Sequence, residues 1–221
     1  MPTSERRYPV LVFDWDGTLL DSAASITTSI QEAAREMGLP VPPRERASHV
    51  IGLGLEDALR SAVPELERSG YNEFVGLYRK HFLLREPTMT LFDGVPDMLS
   101  DLVARGHTLA VATGKSRQGL NRAMQATQLG KFFTATRCAD ETESKPHPAM
   151  LYELIDELDT PAHQLLMIGD TTHDLEMARR AKVDAVGVSY GAHPADGLHA
   201  LRPAQVVSSI AALSEWLQNN A

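Results

Sequence analysis

Residues 8–18 read Tyr-Pro-Val-Leu-Val-Phe-Asp-Trp-Asp-Gly-Thr, and the fold turns on this stretch. Its first part, 8–13, is a continuous apolar run, the pattern of a strand buried on both faces. Asp14 ends the run, and Gly17 lets the chain turn sharply just after a second carboxylate, Asp16. A buried strand that stops at paired carboxylates puts charge at the edge of a sheet, where open parallel sheets bind their ligands.

Beyond that strand the pattern becomes helical from 22 to about 85. Ser22 reads as an N-cap before the stripe Ile26, Ile30, Ala33, Ala34 and Met37, and Gly38 with Pro40 ends that helix. Further helices are expected at 44–50, at 55–62 (closed by Pro64) and at 72–84. After Pro87, strand and helix alternate: helix 96–104 stopped by Gly106, strand 107–112, helix 118–128, a weaker strand 132–138, helix 149–158, strand 164–168, helix 174–181 and strand 185–189. A short edge strand at 206–207 and a helix at 210–218 complete the chain. Strands spaced by helices imply a parallel sheet wound by right-handed crossovers. The expected fold class is therefore α/β: a doubly wound parallel sheet formed by 1–20 and 87–221, with an all-α domain, 21–86, inserted after the first strand.

The 221 residues suit one large domain or a core with a smaller insert, and 43% hydrophobic with 23% charged residues is an ordinary globular balance. A net charge of −8 argues against a nucleic-acid or anionic-membrane surface. An anionic small substrate stays compatible, because a metal ion and a few cations reverse the field of one pocket. The lone Cys138 has no partner for an internal disulfide and reads as a small buried apolar residue. The apolar run near the N-terminus is too short for a signal-peptide core or a membrane span, so a soluble cytoplasmic protein is expected.

Four polar groups fall at predicted strand ends: Asp14-Trp15-Asp16-Gly17-Thr18, Thr113-Gly114-Lys115-Ser116, Lys145-Pro146, and Gly169-Asp170-Thr171-Thr172-His173-Asp174. Each alone is ordinary loop or cap chemistry; their joint placement at one sheet edge points to a site. Asp14 and Asp16 project to the same side if the backbone stays extended, and neighbouring carboxylates push their pKa values apart. One then serves as nucleophile or metal ligand, the other as general acid. With Asp170 they offer the oxygen ligands that magnesium prefers. The Thr113 hydroxyl and the Gly114 N–H suit phosphate oxygens, and Lys145 offsets the charge of phosphate and carboxylates.

The string from Val12 to Ser22 closely resembles the first motif of the haloacid dehalogenase superfamily. Thr113, Lys145 with Pro146, and Gly169-Asp170 with Asp174 look like its second, third and fourth motifs in order and spacing, and the helical insert resembles its small α-helical cap. Within the superfamily the chain is most similar to the phosphoglycolate-phosphatase-like branch. The resemblance implies a magnesium-dependent phosphomonoester hydrolase acting on a small phosphorylated metabolite through an aspartyl-phosphate. Asp14 would be nucleophile and metal ligand; Asp16 would be general acid–base and, through its backbone carbonyl, a second ligand. Thr113, the Gly114 N–H and Lys145 would hold the phosphoryl group. Asp170 would complete the magnesium site, and Asp174 would reach it through water or another ligand. A monomer or homodimer is expected.

Relatives of the same fold do other chemistry. Dehalogenases of the superfamily lack the second carboxylate, so Asp16 speaks against them. Phosphonate-cleaving relatives share Trp15 but carry a small residue in place of Asp16 and an imine-forming lysine in the cap, where this chain has Lys80. An inorganic pyrophosphatase or a sugar-phosphate mutase would keep Asp16, and a non-catalytic phosphate binder is the alternative from another class. The eight histidines show no zinc-like spacing. His173 is expected to meet solvent or substrate, His147 to pack in its loop, and Trp15 to point away from the carboxylates as a packing residue. Arg60, Arg79 and Arg85 are candidates for a substrate's distal anion, and Gly52-Leu53-Gly54 for a cap turn facing the core. Phosphoglycolate is the first substrate expectation, from the branch resemblance; pyrophosphate, sugar phosphates and nucleoside monophosphates follow.

Overall fold

The computed structural model describes residues 7–221; residues 1–6, which open the expected 1–20 segment, lie outside the described residues. The 8–13 run yields strand β1 (Val10–Phe13). After it come helices α1 (Ala23–Glu36), α2 (Arg44–His49), α3 (Leu55–Ala62), α4 (Tyr71–Arg85) and α5 (Val95–Ala104). The chain then alternates: β2 (Thr108–Thr113), α6 (Arg117–Thr127), β3 (Ala135–Cys138), α7 (Ala149–Glu157), β4 (Leu165–Gly169), α8 (Thr172–Ala181), β5 (Asp184–Val188), α9 (Ala195–Ala200), β6 (Gln205–Val207) and α10 (Ile210–Asn220).

The six strands form one parallel sheet in the order β3-β2-β1-β4-β5-β6. Because β1 sits between β2 and β4, the strand order reverses beside it, and the carboxyl ends of β1, β2 and β4 gather their loops at that point. The two-residue period of a strand explains why an all-apolar run is needed there. Leu11, Phe13, Leu109, Val111, Leu166 and Ile168 face one way and pack with Leu99, Leu120 and Leu213 from α5, α6 and α10. Val10, Val12, Ala110, Ala112, Leu165 and Met167 face the other way, against Leu151, Ala178 and Leu198 from α7, α8 and α9. This is the doubly wound sheet that the alternating pattern predicts.

Helices α1 to α4 build a third apolar cluster of their own, around Ile30, Ala33, Leu59, Ala62, Phe74 and Phe82. The two connections to the sheet run side by side. Leu20 bridges Leu91 in antiparallel fashion; the Asp21 N–H donates to the Thr90 carbonyl (2.9 Å) and the Phe92 N–H to the Leu19 carbonyl (3.1 Å).

Three expectations need correction. Ser22 stands at the N-cap of α1, but its hydroxyl makes no capping bond and is used elsewhere. The strand expected at 132–138 is only Ala135–Cys138, because a 3₁₀ turn, Gly130–Phe132, takes up the residues before it. Helix α9 went unread: six residues with one buried side chain, Leu198, leave no apolar period to detect.

Phe74 is fully buried at the centre of the third cluster. Phe74→Ala is expected to destabilise the helical insert by about 3–5 kcal/mol, the usual cost of such a cavity. Urea unfolding checks this, and an unchanged midpoint would mean that the cluster contributes little to holding the insert together.

Candidate active site

Asp14 follows β1 directly, and the Lys145 side chain, fully buried, lies against it. Lys145 Nζ donates to Asp14 Oδ1 and to Asp174 Oδ1, each at 2.6 Å. Asp174 is fixed by the start of its own helix. Thr171 caps α8, and Asp174 Oδ2 accepts from the Thr171 N–H (3.0 Å) and hydroxyl (2.6 Å) in a reciprocal capping box. Asp170, at the end of β4, accepts from Thr18 Oγ1 at 2.9 Å and from the Ala192 N–H at 2.7 Å. Gly17 stands where a side chain would run into the Asp170 carboxylate, and its φ of 80° suits only glycine. Asp14 Oδ2 is buried and has no hydrogen-bond partner among the described residues.

The Asp16 carboxylate turns away from this cluster. Oδ1 accepts from the Ser22 hydroxyl at 2.6 Å, and Oδ2 pairs with Lys115 Nζ at 2.9 Å. Thr113 ends β2 fully buried, with its Oγ1 accepting from the Lys115 N–H at 3.2 Å. Gly114 follows, pressed so close to the carbonyls of Gly52 and Leu53 that a Cβ has no room. Asp14, Asp16, Thr113, Gly114 and Lys115 line a cavity of about 940 Å³ between sheet edge and helical insert; Ile26, Ile30, Leu53, Tyr78, Arg79 and Phe82 wall its other side. Its size lies at the upper end of ordinary small-molecule pockets.

Burial pushes the Asp14 carboxyl up to about 7, the Lys145 charge opposing and the Asp174 and Asp16 charges adding to the rise. Burial also raises Asp170 well above the usual carboxylate range, helped by Asp14 and Asp174. Lys145 is raised too: burial works against its charge, but the two carboxylates it touches outweigh that. Asp14, Asp170 and Asp174 each offer an oxygen, all within 4.8 Å of one another. Fully ionised, three carboxylates against one ammonium leave two negative charges, so a divalent cation fits both the spacing and the charge. Asp174, expected to act at one remove, belongs to this carboxylate trio, whereas the Asp16 side chain does not.

Other singled-out residues separate clearly. Lys80 is exposed and paired with Glu36 at 2.7 Å, away from the cavity walls. Of the three arginines only Arg79 lines the cavity; Arg60 does not, though its partner Glu56 does, and Arg85 donates to the His81 carbonyl. Trp15 is fully buried against Phe133. His147 stays in its loop, with the Ala149 N–H against its ring at 3.3 Å. Cys138 is buried, which pushes its thiol up to about 12 and makes it a poor nucleophile. His173 is half-buried and does not line the cavity: its Nε2 reaches the His49 carbonyl at 2.8 Å, and His193 Nε2 reaches the same oxygen at 3.0 Å. The three imidazoles meet at this seam: His49 and His193 stack with nearly parallel rings 4.6 Å apart, and His173 meets both edge-on. His193 and Lys115 carried no sequence signal of a role. Lys115 stood in a quoted motif, but its partner lies 99 positions back (115 − 16), beyond the reach of spacing arguments.

This is a doubly wound α/β enzyme with its polar cluster where the strand order reverses. The chain belongs to the haloacid dehalogenase-like hydrolase family, whose sequence model matches residues 11–188, and it is a phosphatase of the phosphoglycolate-phosphatase-like branch. It is 35% identical to the probable phosphatase IndB of Dickeya dadantii over 207 residues, covering 91% of this chain and 90% of that one. It is 34% identical to a 5'-nucleotidase of Pseudomonas aeruginosa over 216 residues, 97% of both chains. With a phosphoglycolate phosphatase of Pectobacterium atrosepticum it shares 30% over 207 residues, 91% of this chain and 88% of the other. No helix among the described residues is long and apolar enough to cross a membrane.

The histidine seam predicts a pH dependence. His193 Nδ1 accepts from the Thr172 N–H at 3.0 Å, so Nε2 carries the proton. Burial, with the neighbouring His173, lowers its pKa to about 4. A pKa below the unfolded value of about 6.5 means that the unfolded chain binds more protons between the two. The contribution is whole above pH 6.5, is lost as pH falls towards 4, and amounts to at most about 3 kcal/mol. The urea stability of His193→Phe is expected to depend less steeply on pH than wild type across that window. Parallel curves would show that His193 titrates normally.

Proposed function

We propose that the chain is a magnesium-dependent phosphomonoester hydrolase that works through an aspartyl-phosphate on Asp14, with phosphoglycolate as its first-choice substrate. The observation that carries this reading is Asp14 itself: a cavity-lining carboxylate with one oxygen held by Lys145 and the other buried without a partner. Asp14, Asp170 and the Asp16 main-chain carbonyl, with Asp174 close by, would hold a magnesium ion, which would supply charge to attract the phosphate and screen it from the carboxylates. Asp14 attacks phosphorus in line; the O–P bond to the aspartate forms as the bond to the leaving oxygen breaks, and Asp16 gives that oxygen its proton. In the second step Asp16 takes a proton from water, water oxygen bonds to phosphorus, and the aspartate is released with inorganic phosphate. Thr113 Oγ and the Gly114 N–H hold the equatorial oxygens, and Lys145 offsets their charge. The segment 21–86 acts as a cap that excludes water in the first step and admits it in the second.

A bulkier substrate is the second reading, favoured by the cavity: about 940 Å³ with Tyr78 and Phe82 in its wall is far more than a two-carbon phosphate fills, and a nucleoside monophosphate fits such a space. Ranking phosphoglycolate against nucleoside monophosphates and sugar phosphates by kcat/KM decides between the two.

Asp14→Asn is expected to abolish phosphate release while the protein still folds; more than a few per cent of wild-type turnover in pure mutant would end the covalent mechanism. Asp170→Asn is expected to need more magnesium for half-maximal activity and to show a smaller magnesium-induced rise in melting temperature. If saturating magnesium restores nothing and the melting shift is unchanged, Asp170 acts in some way other than holding the metal.

A further inference from the structure

Lys115 is the one cation in contact with the Asp16 carboxylate among the described residues. The pair is out of water, with side-chain exposures of 9% and 10%. A surface ion pair of that length would mean little, but here both carboxylate oxygens are taken, Oδ2 by Lys115 and Oδ1 by Ser22, so the group's orientation is set. The Lys115 backbone is itself pinned: its N–H donates to Thr113 Oγ1 at 3.2 Å and its carbonyl accepts from the Ala139 N–H at 3.0 Å. Its ammonium also lies 5.0 Å from the centre of the Phe82 ring, on α4 of the helical insert. Lys115 therefore belongs to the core through its backbone, to Asp16 through its charge, and to the insert through a cation–π contact.

We propose that Lys115 is a positioning residue: it aims the Asp16 carboxylate, and through Phe82 it makes that aim depend on the insert being seated on the core. The inference rests on the reading of Asp16 as the proton donor. A simple substrate-binding cation would fill the same cavity wall, but it would not need both a carboxylate partner and an aromatic face from the other side of the seam. With the insert lifted, Phe82 leaves the ammonium, so Lys115 is held less firmly against Asp16, and the start of α1 carries Ser22 away, so one restraint on the carboxylate is loosened as the other is lost.

The test uses the full chain with magnesium and two substrates of like shape, p-nitrophenyl phosphate and phenyl phosphate. Release of the phenol is followed in single turnovers, with enzyme in excess, to isolate the first step. p-Nitrophenolate departs without a proton, whereas phenolate, with a pKa near 10 like that of tyrosine, needs one. Lys115→Met is expected to slow phenyl phosphate at saturation by about 10²-fold, within the range a positioned acid supplies, and p-nitrophenyl phosphate much less. Lys115→Arg should regain most of the loss, and Phe82→Leu should show the same contrast in weaker form. Asp16→Asn is the control. If it slows both substrates equally, the donor reading fails and the proposal falls with it. If Asp16→Asn shows the contrast but Lys115→Met raises only KM, or slows both substrates alike, Lys115 binds substrate or supports the fold, and the positioning role is overturned. Should Lys115→Met not fold, Phe82→Leu decides alone: a wild-type substrate ratio in that variant overturns the proposal.

Discussion

A buried ammonium between two buried carboxylates is the constraint on which the rest of the site depends. Lys145 touches Asp14 and Asp174 at 2.6 Å, and all three side chains are out of water. Taking such charges from water costs several kcal/mol per ion, and only close contact with further hydrogen bonds offsets it. Those further bonds tie distant parts of the chain together: Asp174 to the start of α8, Asp170 to Thr18 and the Ala192 N–H, Asp14 to the end of β1. Replacing Lys145 would leave like charges facing one another, and burial has already pushed Asp14 and Asp170 towards their neutral forms. The cluster is thus built around a shortage of positive charge, which is the condition for drawing in a cation and then an anion.

How much of this was legible depends on the range of the interaction. The sheet could be read because a strand buried on both faces must be apolar along its length, and β1, β4 and the 109–112 stretch of β2 satisfy that. Asp14, Thr113 and Asp170 could be placed because each immediately follows or ends such a strand, so finding the strand finds the residue. Lys145 lies in a loop and was found through its motif. What escaped was direction. A carboxylate three residues past a strand end can face either way, and only the folded chain brings Ser22 and Lys115 to Asp16. Ser22 misled for a sound reason: its oxygen has the right chemistry to accept from a helix N–H, but the hydroxyl is instead turned to donate a charge-assisted bond to the buried Asp16 carboxylate at 2.6 Å. Asp174 was placed one remove from the metal by the motif resemblance; in the folded chain its Oδ2 serves the capping box while its Oδ1 reaches Lys145.

The seam between insert and core is held by contacts that side-chain patterns do not reveal. Two imidazoles from the core donate to one main-chain carbonyl, that of His49, and Gly114 admits the carbonyls of Gly52 and Leu53 because it has no side chain. The acceptor side of this seam is backbone and is indifferent to residue type, yet the Gly52-Leu53-Gly54 turn, expected from its glycines to face the core, does lie against Gly114, Thr171 and Ser144. The core partners are more telling. His173 adjoins Asp174, and His193 adjoins Ala192, whose N–H holds Asp170. The segments that grip the insert are therefore the same ones that shape the carboxylate trio.

That arrangement bears on how chemistry and selection divide between the two halves. The charged wall of the cavity comes from the core, from residues whose positions follow from strand ends and are tied to one another by charge. The apolar wall comes from the insert, where Ile26, Ile30, Tyr78 and Phe82 answer to packing against their own cluster. A change in the apolar wall alters the space beyond the phosphate without touching a charge, whereas a change in the charged wall disturbs the balance of a buried network. On the proposed function, substrate range would drift through the insert while the charged site of the core stays fixed. Lys115, which faces both walls, is the residue at which the two halves are not independent.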